Sequence, residues 1–384
     1  MNVLIITPWF PNKNNAFFGS FIRNHAESIQ LAGNNVLILA LHVQAHQAIY
    51  STEFDVEQTS SGLIIHHLYL QSKFYKWLYI NPFFLRKFVF NYWKTNVSST
   101  FQPTILHSCI LYPGAVIGEY FRRKLKLRHV ISEHWSKVDG YMKKNVFAYL
   151  GKVAYQNADS ITVVSTFLKE RLKPYIGSGE KIVVIPNVID NKIFFYQPSP
   201  VLDQQHDEEN NKPLHFIAVA TWKRPKLPEL LFNGLEGLKK TYPHPFEFHV
   251  VGDGPLLAQL NQVNYSYKVN YHGFLTPQQL ASLLQRMDFF LHASTVETFS
   301  IVVAEALACG LPVLCSNVGA LPDLIHQENG LLVENNTTAW KKGLKDLLQQ
   351  KFNHHQISQS GSFAYSPVKI GKDFMTIYQK TLNS

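Results

Sequence analysis

The sequence predicts an α/β protein made of two Rossmann-like halves, each a parallel sheet covered by helices. Three observations carry that expectation. Short β-rich apolar runs alternate with helical-period segments along the chain, as expected of strands buried on both faces. At 384 residues the chain exceeds what one hydrophobic core usually spans, so two domains are expected. A polar, proline-bearing stretch, YQPSPVLDQQHDEENNKP at 196 to 213, breaks the alternation and reads as a linker or exposed insertion. The expected boundaries are 1 to 195 for an N-terminal domain and 214 to 365 for a C-terminal one. Residues 366 to 384 form a closing helix that could join either half or pack back on the first.

The elements follow in order. VLIITP (3 to 8) reads as the first strand, FIRNHAESIQLAGN (21 to 34) as an amphipathic helix ending near Gly33, and VLILAL (36 to 41) as the second strand. TILHS (104 to 108), HVISEH (129 to 134), SITVVS (160 to 165) and KIVVIPN (181 to 187) continue the first half. Beyond the linker come HFIAVAT (215 to 221), FEFHVVG (246 to 252), DFFLHAS (288 to 294) and LPVLCS (311 to 316), with helices between them. PVKIGKDFMTIYQKTL (367 to 382) is the closing helix.

Composition limits the function classes. Cys109, Cys309 and Cys315 lack CxxC spacing and cluster with no histidines, which argues against a disulfide framework or a cysteine metal site and favours a reducing compartment. The opening MNVLIITPWFP has no basic leader, and no window approaches the roughly 18 apolar residues of a membrane span. A cytoplasmic protein, peripheral at most on the inner face of a membrane, is the expectation. Lysine and arginine exceed aspartate and glutamate by 36 to 27, a net charge of +9 that suits an anionic partner. No nucleic-acid-binding motif accompanies it, so nucleic acid is not expected as a partner.

VETFSIVVAEALACGLPV, 296 to 313, is apolar yet holds a glutamate in its middle. An ionised carboxylate leaving water costs several kcal/mol unless paired, so Glu305 should find a partner in the protein or in a ligand. The stretch reads as a strand end, the short loop VETF, the helix SIVVAEALAC and a stop at Gly310. Glu297 then lies in the loop past a strand's carboxyl end, where open α/β sheets bind ligands. Amides of Phe299, Ser300 and Ile301 at the helix start can accept an anion such as diphosphate. Helical side chains lean toward the N-terminus, so Glu305 can reach a group attached to that anion, and ribose hydroxyls would satisfy it.

Glu-x7-Glu followed by ALACGLPV resembles the signature of the retaining glycosyltransferases of family four, glycosyl transferases group 1. VVGDGP, YHGFLT, SNVGALPDLI and NGLLV continue the resemblance in order and spacing, and PWFPNKNNAFFGSFIRNHAESIQLAGNNV, ILHS, ISEHW and VVSTFLKERL extend it through the first half. It spans nearly the whole chain, leaving out the linker and parts of 45 to 100. The resemblance implies the GT-B fold, two Rossmann-like domains facing across a central cleft, with the acceptor on the N-terminal domain and a nucleotide sugar on the C-terminal one. It implies that Glu305 holds the donor ribose and Glu297 contacts the transferred sugar. Thr298 and Ser300 replace glycines that many members carry, which narrows the choice of sugar. Gly19, within FFGSF, is implied to lie beside the donor diphosphate, and no GxGxxG fingerprint follows the first strand.

The sequence has no Asp-x-Asp motif to recruit a divalent ion, so the diphosphate needs protein cations and no metal or cofactor is expected. TWKRPKL, 221 to 227, supplies Lys223, Arg224 and Lys226. Lys226 is in register with the family's phosphate-binding lysine, while Thr221 stands where the family's arginine is usual; Arg224 or Lys223 is left to compensate. His134, in SEHWS, matches a position near the donor sugar, and His107 and Glu133 are weaker candidates. By resemblance the reaction is a same-face substitution in which the leaving phosphate takes the acceptor's proton, so no protein nucleophile is assigned. LQSKFYKWLYINPFFLRKFVFNYWKT (70 to 95) has no acidic residue and interleaves aromatics with cations, and RRKLKLR follows at 122 to 128. Both suit an anionic membrane surface and a lipid-linked acceptor. The expected function is metal-independent glycosyl transfer from a UDP- or GDP-linked sugar to a glycan or lipid-linked acceptor, in surface polysaccharide or glycolipid synthesis. The alternatives are a sugar-nucleotide epimerase of the same fold and an inactive nucleotide-sugar-binding subunit.

Overall fold

A computed structural model describes residues 1 to 143, 145 to 177, 179 to 198 and 212 to 383. Most of the linker expected at 196 to 213 lies outside the described residues. The chain divides into two compact units, Met1–Val188 with Pro367–Ser384 and Ile189–Ser366, so the divide falls earlier than the expected 195.

Among the described residues the first unit holds eight strands: β1 (Asn2–Thr7), β2 (Asn35–Ala45), β3 (Ser51–Gln58), β4 (Ile64–Ser72), β5 (Ile105–Cys109), β6 (Arg128–Glu133), β7 (Ser160–Val163) and β8 (Ile182–Val184). Their order in the sheet is β3-β4-β2-β1-β5-β6-β7-β8, parallel except for the β3/β4 hairpin. Alternation along β1 divides the core. Val3 and Ile5 face Ile22, Ala26 and Ile29 of helix Ser20–Leu31 together with Ile370, Phe374 and Tyr378 of the closing helix Pro367–Asn383. Leu4 and Ile6 face the other way, toward Leu85, Val89 and Trp93 of helix Pro82–Asn96. Burying each such aliphatic side chain contributes about 1.5–3 kcal/mol.

The second unit holds β9 (Leu214–Val219), β10 (Phe246–Val251), β11 (Lys268–Gly273), β12 (Phe289–His292), β13 (Val313–Ser316) and β14 (Gly330–Val333), an all-parallel sheet in the order β11-β10-β9-β12-β13-β14. Phe216, Phe248 and Leu291 pack against Phe232, Trp340 and Leu344 on helices Pro228–Lys239 and Thr337–Gln349. In each unit the strand order reverses at one point, between β1 and β5 in the first and between β9 and β12 in the second. Loops leaving the carboxyl ends of those strands splay to opposite faces there and leave a ligand-sized gap.

β3, β4, β11 and β14 were not among the sequence expectations. STEFDVEQ of β3 is largely exposed at the sheet edge, and its alternation is short, only Phe54 and Val56 between Glu53, Asp55 and Glu57. The aromatic run 70 to 95 is split by the fold. Leu85, Val89, Tyr92 and Trp93 are core, whereas Phe74, Trp77, Ile80 and Phe83 are more than half exposed. Among the described residues no helix is long and apolar enough to cross a membrane.

Candidate active site

The donor-side candidates stand at the reversal point of the second sheet. The loop after β9 and the loop after β12 are fastened to one another: Leu227 N donates to Ala293 O at 3.0 Å, and Thr295 N to Pro225 O at 3.0 Å. Buried Trp222 anchors the first loop, its Nε1 donating to Val251 O at 2.9 Å. This brings Lys226 onto Glu297, Nζ to Oε1. His292, the last residue of β12, puts Nε2 3.0 Å from the same oxygen, 3.3 Å from Lys226 Nζ and 3.3 Å from Ser300 Oγ. Burial opposes charge on Glu297, but the His292 hydrogen bond and the Lys226 cation prevail and hold its carboxyl down at about 2. Burial and the lysine hold His292 below its usual range, so it is the neutral imidazole. The Glu297 loop is itself held from beneath. Ala320 N donates to Glu297 O at 3.0 Å, and a Cβ on Gly319, at φ +58°, would stand 2.2 Å from that oxygen.

Helix Ile301–Ala308 starts at Ser300, whose φ of +75° belongs to the left-handed region that glycine favours. Phe299 turns its ring inward, edge-on to Tyr365 at 5.3 Å. The amides of Phe299, Ser300 and Ile301 make no hydrogen bond among the described residues, as expected at a helix start. Glu305 lies one turn further on, half-buried, and no hydrogen bond or ion pair reaches its side chain among the described residues. Among the described residues the protein partner that the sequence left open is not supplied, and burial alone pushes this carboxyl up to about 8. Two carboxyls eight residues apart are thus driven in opposite directions, the kind of contrast that marks functional sites. Arg224 is 64% exposed and meets Glu229 at 3.1 Å; Lys223 and Thr221 are exposed beside it.

The first unit holds the remaining candidates. Gly19 caps helix Ser20–Leu31 at φ +71°, and a Cβ there would lie 2.5 Å from the carbonyl carbon of Trp9. His134 follows β6 by one residue and is packed against Phe21 and His25, with ring centroids 4.7 and 5.3 Å away. Burial, then His25 and His107, keep it neutral against the weaker pull of Asn187; neither ring nitrogen makes a hydrogen bond of ordinary geometry. The side chains of His107 and Glu133 are taken up by bonds within the unit. His107 bridges Tyr378 Oη at 2.7 Å and Ser132 Oγ at 2.6 Å. Glu133 accepts from the amides of Leu111, His134 and Trp135 and from Tyr155 Oη, all within 2.8–2.9 Å. A cavity of about 500 Å³ opens at the carboxyl ends of β1 and β2, lined by Trp9, Asn12, Asn15, His42, Gln44 and Tyr79 among others.

Comparison with known proteins bears on both units. Residues 19–192 match the model of Glycosyltransferase Family 4, and residues 213–350 match that of Glycosyl transferases group 1; together they take in most of the chain. The chain belongs to this glycosyltransferase family. An uncharacterised glycosyltransferase of Methanocaldococcus jannaschii is 25% identical over 265 residues, 67% of each chain. Among solved structures, the lipopolysaccharide outer core galactosyltransferase WaaB superposes with a TM-score of 0.72 at 18% identity, covering 99% of each chain. HepE of Anabaena, solved with UDP and glucose, superposes at 0.69 with 14% identity, covering 99% of this chain and all of that one. The glycosyltransferase thus has the GT-B fold.

One residue of this glycosyltransferase escaped the sequence reading. His292 was visible only as part of the strand DFFLHAS, yet it touches Lys226, Glu297 and Ser300. Its position at the carboxyl end of a strand, five residues before Glu297, was the available signal.

Proposed function

We propose that this glycosyltransferase moves a sugar from a UDP- or GDP-linked donor to a glycan or lipid-linked acceptor, with retention of configuration and without a metal ion, in surface polysaccharide or glycolipid synthesis. The observation that carries the donor half is Glu305: a carboxyl with no partner among the described residues, just past three helix amides that bond to none of them, and in the same loop-helix segment as Glu297 of the Lys226–Glu297 pair. Ribose hydroxyls on Glu305 would give it the hydrogen bonds that no described residue provides. The diphosphate would lie on the amides of Phe299, Ser300 and Ile301, with Lys226 and Arg224 neutralising the departing charge. Arg224 can leave Glu229 at little cost, because that pair is exposed. Glu297, kept ionised, would take hydroxyls of the transferred sugar, and neutral His292 would steady it. His134 would help orient the donor sugar. No side chain is assigned as nucleophile; the leaving phosphate oxygen would take the acceptor's proton.

The acceptor reading rests on the first unit. The cavity past β1 and β2 offers amides of Asn12, Asn15 and Gln44 to sugar hydroxyls. Tyr75 and Tyr79 of helix Tyr75–Tyr79 line it, while Trp77 of that helix, with neighbouring Phe74 and Ile80, faces out beside Lys73 and Lys76. That arrangement suits a membrane surface presenting a lipid-linked sugar. The second basic run contributes less, since Arg122 is held by Glu119 and Arg128 by Asp159.

The test is thermal unfolding of wild type and Glu305→Ala with UDP, GDP, ADP, NADH and nucleotide sugars, with flotation on anionic vesicles as a second arm. Stabilisation by one nucleotide diphosphate, about 2.7 kcal/mol at a hundredfold excess over Kd and lost in Glu305→Ala, is the expected result. An equal response in the mutant, or none in wild type, would remove the donor reading. Absence of flotation at low salt would remove the membrane one. Donor conversion that needs no acceptor would favour the epimerase.

A further inference from the structure

A second cluster of ligating side chains lies within strands β9 and β10 of the second unit, set back from the donor loops that follow the strand ends. His215 is the second residue of β9, and Glu247 and His249 are the second and fourth of the six residues of β10, whereas Lys226 and Glu297 lie beyond the carboxyl ends of β9 and β12. His215 and Glu247 are paired in the ladder and share a face with His249 two residues on. His215 Nδ1 stands 3.2 Å from His249 Nε2, and Glu247 Oε2 stands 3.8 Å from that same nitrogen. One ligand atom from each of the three lies within 4.8 Å of the others.

From this geometry we infer that His215, Glu247 and His249 form a site for a late first-row divalent cation, zinc foremost, that clamps β9 to β10. Zinc bonds of about 2.0–2.2 Å to nitrogen and oxygen, at tetrahedral angles, place neighbouring ligand atoms roughly 3.3–3.6 Å apart. The two separations to His249 Nε2, 3.2 and 3.8 Å, bracket that edge length, and the third lies within 4.8 Å. A mixed imidazole and carboxylate set suits zinc better than calcium or magnesium, which prefer oxygen alone. Three protein ligands leave the fourth position to water.

The surroundings are those of a ligating set. His249 Nδ1 is 2.9 Å from His272 Nε2 on β11, so His249 can donate there and keep Nε2 as a lone pair for the metal. Glu247 Oε2 accepts from Asn270 Nδ2 at 2.8 Å and Oε1 from Lys268 Nζ at 3.0 Å, which orient the carboxylate without using all its lone pairs. Asn270 Nδ2 also lies 3.5 Å from His249 Nε2. Arg286 faces His272. Binding needs only a tautomer change at His215, whose hydrogen moves from Nδ1 to Nε2; no net proton is lost. The role is structural, joining β10 next to the edge strand β11 to the middle of the sheet, and is independent of the donor chemistry proposed above.

The experiment uses the full chain without a polyhistidine tag, stripped with a chelator and titrated with zinc chloride against a chromophoric chelator. One zinc per chain is expected, with affinity lowered at least tenfold in Glu247→Gln and in His215→Ala and unchanged in His355→Ala, a histidine on the exposed face of another helix. Glu247→Gln keeps the side chain's size and its neighbours, so it reports on ligation even if His215→Ala alters folding. Zinc should also raise the unfolding temperature of the wild type and not of Glu247→Gln. Failure to take up one equivalent, or uptake that Glu247→Gln leaves intact, would overturn the inference. UDP-induced stabilisation measured on the same samples reads the donor site separately.

Discussion

Glu305 and Glu297 show how far a single residue's chemistry can be read before its surroundings are known. That Glu305 needs a partner follows from electrostatics alone. That the described residues provide none, while they provide two for Glu297, follows only from where β9 and β12 bring Lys226 and His292. A testable consequence is pH dependence. Glu305 rises from an ordinary 4.5 to about 8 in the fold, so the folded state disfavours its charge. The stability it contributes is complete below pH 4.5, falls as pH rises from there to about 8, and stays low above. Glu305→Gln removes the titration. Its unfolding free energy relative to wild type should climb between pH 5 and pH 9, reaching a gain of about 1–3 kcal/mol once solvent access is allowed for. A difference that stays flat with pH would show that the carboxyl is not desolvated.

At the scale of elements, the loops carry the candidate residues and the strands hold the loops. The helix from Ile301 and its Gly310 stop were legible because the apolar run is long and the glycine falls where a left-handed residue ends a helix, and Gly310 does take φ +84°. The contact of Gly319 with the Glu297 backbone was not legible, since twenty-odd residues and a strand separate the two. Gly319→Ala should drive a methyl into Glu297 O and break the Ala320 N bond to it. A loss of about 2–4 kcal/mol in denaturant unfolding is expected, together with weaker nucleotide-induced stabilisation. Unchanged stability would mean the loop relaxes freely and does not position Glu297.

At the scale of the molecule, the chain's last helix belongs to its first unit. Ile370, Phe374 and Tyr378 are fully buried among residues of the N-terminal core, and Gly371 brings the helix so near Ser28 O that a Cβ would stand 2.1 Å away. Tyr378 and Thr381 are also bonded to His107 and Ser160. Truncation after Ser366 removes three large core side chains, roughly 5–9 kcal/mol, as much as a whole domain's stability. The first unit should then lose its cooperative thermal transition, while nucleotide still stabilises the second. Two intact transitions in the truncated chain would contradict this.

By itself the sequence determined the α/β class, the two halves, the strand–loop–helix around Glu297 and Glu305, and the family. These rest on local periodicity, on turn residues and on motifs contiguous in the chain. The tertiary structure alone decided the pairing of Lys226 with Glu297, the part played by His292, the bonds that take up His107 and Glu133, and the split of residues 70 to 95 into a core face and an exposed one. Each of those depends on which strands become neighbours and which face a side chain turns to solvent. Both are set by long-range packing, and no local window of the chain contains it.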